Sequence, residues 1–135
     1  MENNLMEETN YNLLIIDRSD LTADEISVSA LSEEGFKTVT LPDHLEALSS
    51  MSELRPDLII LGEGLAEDSF KVCRRLHQAS ITPIAMLGTT PRSRGWVRAM
   101  KAGADLYLAR PIRQAELAAR IKAILRRREW ACAGG

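Results

Sequence analysis

The sequence predicts an α/β domain: five parallel strands in one sheet, with helices covering both faces. Two observations carry that expectation. Short apolar runs recur at residues 13–16, 58–61 and 83–87, each closed by an acidic or glycine-containing turn. A continuous apolar run bounded by turn signals suits a parallel strand buried on both faces. Between the runs lie segments with apolar residues at helical spacing, joined by short connections, and such alternation builds a parallel sheet with helical covers.

Residues 1–11 are polar and acidic with few apolar positions, and read as a flexible arm. The first strand, residues 13–16, ends in Asp17-Arg18-Ser19-Asp20, where Ser19 or Asp20 can cap the helix that follows. That helix places Ala23, Ile26, Ala30 and Leu31 on one face, and Gly35 is positioned to end it. Residues 36–41 mix threonine and lysine with apolar residues, as an edge strand does. Pro42 opens a second helix with Leu45, Leu48 and Met51 inward. The central strand follows Arg55-Pro-Asp and stops at Gly62-Glu63-Gly64. A third helix near residues 67–79 buries Phe70, Cys73 and Leu76, and residues 83–87 form the next strand, ending in Gly88-Thr89-Thr90. Pro91 starts a fourth helix that Gly103 stops, residues 105–109 form the fifth strand, and Arg110-Pro111 follows. The last helix starts near Ile112, turns Leu117, Ile121, Ile124 and Leu125 inward, and ends in Arg126-Arg127-Arg128, which favours the negative pole of its dipole.

Composition narrows the function classes. At 135 residues the chain suits one domain, and a net charge of −2 gives no electrostatic reason to expect nucleic acid or acidic lipid. The apolar runs are too short to span a bilayer and the start is unlike a signal peptide, so a cytoplasmic location is expected. Cys73 and Cys132 form no metal spacing and no disulfide framework, and His44 and His77 read as isolated surface residues. No serine, cysteine or carboxylate pair has an evident base partner, so no catalysis, metal or cofactor is expected.

Residues 103–111 (GADLYLARP) and 116–127 (ELAARIKAILRR), with the Pro-Asp-Leu strand and the strand after Pro83, resemble a response-regulator receiver domain of the OmpR type. The resemblance spans roughly residues 12–128, with residues 129–135 a tail or truncated linker. It implies a flavodoxin-like three-layer sandwich with strand order 2-1-3-4-5, and a cis peptide bond before Pro111.

Receivers that accept a phosphoryl group carry an aspartyl nucleophile on the central strand and an acidic pair after the first strand that holds Mg²⁺ through oxygen. A hydroxyl after the fourth strand and a lysine after the fifth complete the set. By that resemblance Asp17 matches the first acid, while Arg18 stands at the second. Gly62 stands at the nucleophile and Gly88 at the hydroxyl, with Thr89 adjacent. Arg110 replaces the lysine, keeping the charge but not the donor geometry. Glu63 is the nearest alternative acceptor, but strand alternation turns it away from the pocket. Arg18 either pairs with Asp17 in the metal's place or turns out to solvent.

The resemblance also implies a symmetric dimer surface on the fourth helix, fifth strand and last helix. Asp105, Glu116, Arg120 and Lys122 match its charged ring. Trp96 and Leu106 make the face more apolar than the family pattern, with Met100 beside them. Trp96 either anchors that interface or packs into its own domain. Tyr107 matches the family's switch aromatic, expected here in one rotamer. The expectation is a receiver acting without aspartyl phosphorylation through protein contact as a homodimer, regulatory half of a transcription factor, with no direct nucleic-acid or membrane binding. The alternative is a sensor binding a small anion or nucleotide at the vestigial pocket, and a third reading is a phosphorylated switch with an unorthodox acceptor.

Overall fold

The computed structural model describes residues 11–17, 28–63, 68–89 and 92–134. The strands Tyr11–Ile16 (β1), Phe36–Leu41 (β2), Leu58–Gly62 (β3), Ile84–Gly88 (β4) and Leu106–Ala109 (β5) form one sheet. They pair in parallel in the order β2-β1-β3-β4-β5. The helices are Val28–Glu33 (α1), His44–Leu54 (α2), Ser69–Ala79 (α3), Arg92–Ala102 (α4) and Gln114–Gly134 (α5).

The period of two along each strand divides the core into two layers. Leu14, Ile16, Ile59, Leu61, Ile84 and Met86 face α2, α3 and α4, meeting Ala47, Phe70, Cys73, Leu76 and Ala99. Leu13, Ile15, Leu58, Ile60, Ala85 and Leu87 face α1 and α5, meeting Leu31, Leu117, Ile121 and Leu125. The β3 side chains Leu58, Ile59, Ile60 and Leu61 are completely buried. Burial of each is worth roughly 1.5–3 kcal/mol, so the central strand anchors both layers. This is the flavodoxin-like three-layer sandwich expected from the sequence.

Local signals explain the element ends. Asp43 caps α2 by accepting from the Leu45 N–H at 2.9 Å, and Asp68 caps α3 by accepting from the Phe70 N–H at 3.0 Å. Gly35 and Gly103, both at positive φ, follow α1 and α4. The Arg110–Pro111 bond is cis.

Four details differ from expectation. Tyr11 belongs to β1, pairing with Phe36, rather than to the arm. In α2, Leu45 is 57% exposed. The inward stripe instead starts at His44, which is buried and not a surface residue; its Nε2 accepts from Arg75 Nη1 at 3.2 Å. That bond gives the imidazole a polar partner inside, so the helix presents His44, Ala47, Leu48 and Met51. Finally, α5 runs on through Gly134, so Arg126, Arg127 and Arg128 lie within the helix rather than at its end. His77 is exposed as expected, packed beside Gly103. The expected start of the first helix, with its Ser19 or Asp20 cap, falls on residues outside those described.

Cys73 is fully buried on α3. Burial, reinforced by Asp105 and opposed by Arg74, pushes its thiol up to about 12. Thiolate is the reactive form, so in a Cys132→Ser background Cys73 should alkylate at pH 8 about 100-fold or more slowly than in the urea-unfolded chain. Rates within a factor of about three of each other would contradict its placement.

Candidate functional site

Strand register brings the expected site residues together at the carboxyl end of the sheet. Ile16 lies opposite Leu61, which carries Asp17 level with Gly62. Gly62 lies opposite Leu87, and Gly88 opposite Ala109, so Arg110 emerges beside the same crevice. The backbone holds this arrangement: Asp17 N–H donates to Leu41 O at 3.2 Å, and Arg110 N–H donates to Gly88 O at 2.8 Å.

The Asp17 carboxylate is 1% exposed, and its Oδ2 accepts from Arg110 Nη2 at 3.0 Å. It also fills the space that a side chain at residue 62 would enter. A Cβ placed on Gly62 would stand 2.1 Å from both Cγ and Oδ2 of Asp17. The missing side chain of Gly62 therefore makes room for the ion pair. Ser69 Oγ, also buried, donates to Gly62 O at 2.8 Å and ties the start of α3 to the same point.

A second carboxylate lies across the crevice. Glu63 was expected to face away, but its side chain reaches over β4. Its Oε1 accepts from the Thr89 N–H at 2.9 Å and from the Tyr107 hydroxyl at 3.1 Å. The reason is local: β3 ends at Gly62, and Glu63 lies in the turn beyond it, where strand alternation no longer sets direction. Gly88 leaves room for this group, since a Cβ there would stand 2.1 Å from Glu63 Oε1 and from the Tyr107 hydroxyl. Tyr107 is 3% exposed, its ring so close to α4 that a Cβ on Gly95 would lie 2.3 Å from Cζ. Tyr107, the expected switch aromatic, thus has a partner, Glu63, that sequence reasoning missed. The signal available was the glycine at 88, whose lack of a side chain admits a neighbour's. Arg18 lies outside the described residues.

The donor chemistry does not fit a Mg²⁺ site of the receiver kind. Gly62 brings no carboxylate, Asp17 Oδ2 is bonded to a guanidinium, and no cluster of three or more His, Cys, Asp or Glu occurs among the described residues. Of the polar groups described at the crevice, Arg110 faces Asp17 and the Thr89 N–H faces Glu63.

On the other side of Tyr107, α4, β5 and α5 enclose a cavity of about 200 Å³ lined by Trp96, Leu106, Tyr107, Leu108, Ile112 and Glu116. Trp96 is 53% exposed, with Val97 exposed beside it, while Met100 packs partly onto the core. Of the charged ring, Glu116 and Arg120 pair with each other at 3.4 Å along α5. Asp105 accepts from the Ile84 N–H at 2.9 Å at the opposite end of the sheet from the crevice. Lys122 is turned away from this face, toward Glu34 and the Phe36 ring.

The family model described as the response regulator receiver domain matches residues 6–122. The chain belongs to that family. This receiver domain is 35% identical over 125 residues to the DNA-binding response regulator MtrA of Mycolicibacterium smegmatis, an alignment covering 92% of this chain and 54% of that protein. It is 38% identical over 104 residues to the transcriptional regulatory protein CseB of Streptomyces coelicolor, covering 76% of this chain and 44% of the other. The receiver thus spans about half the length of these curated relatives. Among solved structures, a two-component response regulator from Clostridium difficile superposes with a TM-score of 0.78 at 27% identity, covering 87% of this chain and 98% of the other. A response regulator from Thermotoga maritima gives 0.75 at 25% identity, covering 86% and 98%. No helix among the described residues is long and apolar enough to cross a membrane.

The packing of Asp17 against Gly62 is testable by a double-mutant cycle. Gly62→Ala should destabilise by about 1–3 kcal/mol through overpacking. Asp17→Ala should cost about 3 kcal/mol by leaving the Arg110 cation without this carboxylate. The double variant should cost at least about 1 kcal/mol less than the two singles together, because the alanine at 62 enters vacated space. Strict additivity in urea unfolding would show that the two residues do not share that space.

Proposed function

We propose that this receiver signals without aspartyl phosphorylation, through contact with protein, as the regulatory part of a larger transcription regulator. The observation that carries the reading is the Asp17 carboxylate filling the space above Gly62 while bonded to Arg110. An aspartyl phosphate needs an acceptor carboxylate at that strand end and an acidic site for the metal that assists transfer. Here one position holds no side chain, and the remaining acid is engaged with a cation.

Glu63 supports the same reading. It lies in the crevice, yet its Oε1 already accepts from two donors, and it sits over Gly88 rather than at the end of β3. Those bonds hold a carboxylate against the Tyr107 hydroxyl. The tyrosine is thereby fixed inward and the wall of the α4–β5–α5 cavity is fixed with it. A surface kept in one form suits constitutive assembly rather than a switch.

The protein contact we assign to the α4–β5–α5 face, with a second copy of the chain as partner. Trp96 is the anchor: it is half-exposed beside the cavity, and tryptophan is among the side chains enriched at binding hot spots. The link to transcription is carried by the relatives, whose names describe DNA-binding and transcriptional regulators about twice the length of this chain.

Two measurements test this. With acetyl phosphate and Mg²⁺, intact mass spectrometry should show no phosphoryl adduct. Sedimentation velocity should show the same monomer–dimer equilibrium with and without the phosphodonor, and Trp96→Ala should weaken it by about tenfold or more. A phosphodonor-dependent shift in mass or size would overturn the phosphorylation-independent reading. A monomer throughout would overturn the homodimer.

A further inference from the structure

We infer that the groove between α3 and α4 binds a phosphate chain, of the kind shared by nucleoside triphosphates and inorganic polyphosphate. The groove measures about 290 Å³ and is lined by Asp68, Phe70, Lys71, Arg74, Arg98 and Lys101. Four cations therefore face one carboxylate, on a chain whose net charge is −2. General basicity does not explain the concentration.

The arrangement is built rather than scattered. Lys71 and Arg74 stand three residues apart on α3, and Arg98 and Lys101 stand three apart on α4, so each helix offers two cations on adjacent turns. Like charges at that spacing oppose helix formation, so the spacing does not serve the helices themselves. Arg98 is held in place: its guanidinium lies 4.0 Å from the centre of the Phe70 ring and its Nη2 lies 3.7 Å from Asp68 Oδ2. Asp68 in turn is fixed by capping α3. A stacked, braced guanidinium offers a preset fork for phosphate oxygens, and the lysines add mobile point charges.

The choice of a small phosphate ligand over a macromolecule follows from what the groove lacks. Phe70 is 6% exposed beneath Arg98, so a protein partner would find charge without an apolar anchor. The cations lining the groove, two from each helix, form a short patch rather than the extended basic track that follows a nucleic-acid backbone. The site is separate from the crevice, whose cation faces Asp17, and from the Trp96 face, so this inference is independent of the phosphorylation and dimer readings.

Isothermal titration calorimetry at physiological ionic strength, with inorganic tripolyphosphate and with ATP as probes, tests the site. Saturable binding of either probe is expected. Lys71→Gln/Arg74→Gln should weaken it by about tenfold or more, and so should Lys101→Gln alone with Arg98 and its stacking intact, by about threefold or more. Arg126→Gln/Arg127→Gln, removing two exposed cations on α5, should change affinity by less than about twofold. Melting temperatures within a few degrees of wild type keep a folding defect from being mistaken for a lost site. Equal affinity for the two probes assigns the phosphate chain itself as ligand, and tighter ATP binding assigns a nucleotide. The inference is overturned by no binding, by equal losses in the α5 control, by sulfate competing as strongly as tripolyphosphate, or by tighter binding of polyglutamate or duplex DNA.

Discussion

A carboxylate removed from water needs a cation or hydrogen-bond donors close by, because the desolvation of an isolated charge is prohibitive. Asp17, 1% exposed and 3.0 Å from Arg110, is held in that way, and the rest of the crevice follows from it. Arg110 must reach from the end of β5 to the end of β1 across two intervening strands. Its long side chain, 10% exposed, spans them, and the backbone bond from its N–H to Gly88 O fixes where it starts. Such a pair adds little net stability compared with apolar packing, but removing one partner is costly. It joins the ends of β1 and β5 across the crevice.

Around that pair, the glycines define volume rather than flexibility. Gly62 admits the Asp17 carboxylate, Gly88 admits Glu63 and the Tyr107 hydroxyl, and Gly95 admits the tyrosine ring. Three absent side chains on three elements are thus filled by Asp17 and Glu63, just past the ends of β1 and β3, and by Tyr107 of β5. Interiors pack densely enough that such spaces have one good filling. Two sets of contacts therefore meet at the crevice, Asp17 with Arg110 beside Gly62 and Glu63 with Tyr107 beside Gly88 and Gly95.

Much of the fold was legible because it rests on patterns with a fixed period. The apolar runs 13–16, 58–61 and 83–87 could be read as buried strands, and the match between β2 and its expected bounds shows how strongly Gly35 and Pro42 frame it. Boundaries set by tertiary contacts were less legible. His44 turns inward where Arg75 of α3 meets its ring, and nothing near residue 44 in the sequence announces that partner. Likewise α5 reads as ending at its arginines, yet it continues. In the site, resemblance located Asp17, Gly62, Gly88 and Arg110, and register confirmed that they converge. Glu63 was missed because alternation is a rule for paired strands, and the residue lies one step past the last pairing. Lys122 was misplaced because helical spacing alone does not tell which flank of α5 meets α1 and β2.

The filled glycine spaces also bear on which substitutions the domain accepts. A side chain at position 62 would bring its first atom against a buried, ion-paired carboxylate. A side chain at position 88 would meet both the Glu63 carboxylate and the Tyr107 hydroxyl. Each is therefore accommodated only if its neighbour shifts or changes with it. The crevice is an epistatic unit: what a residue at 62 or 88 costs depends on which residues stand at 17, 63 and 107.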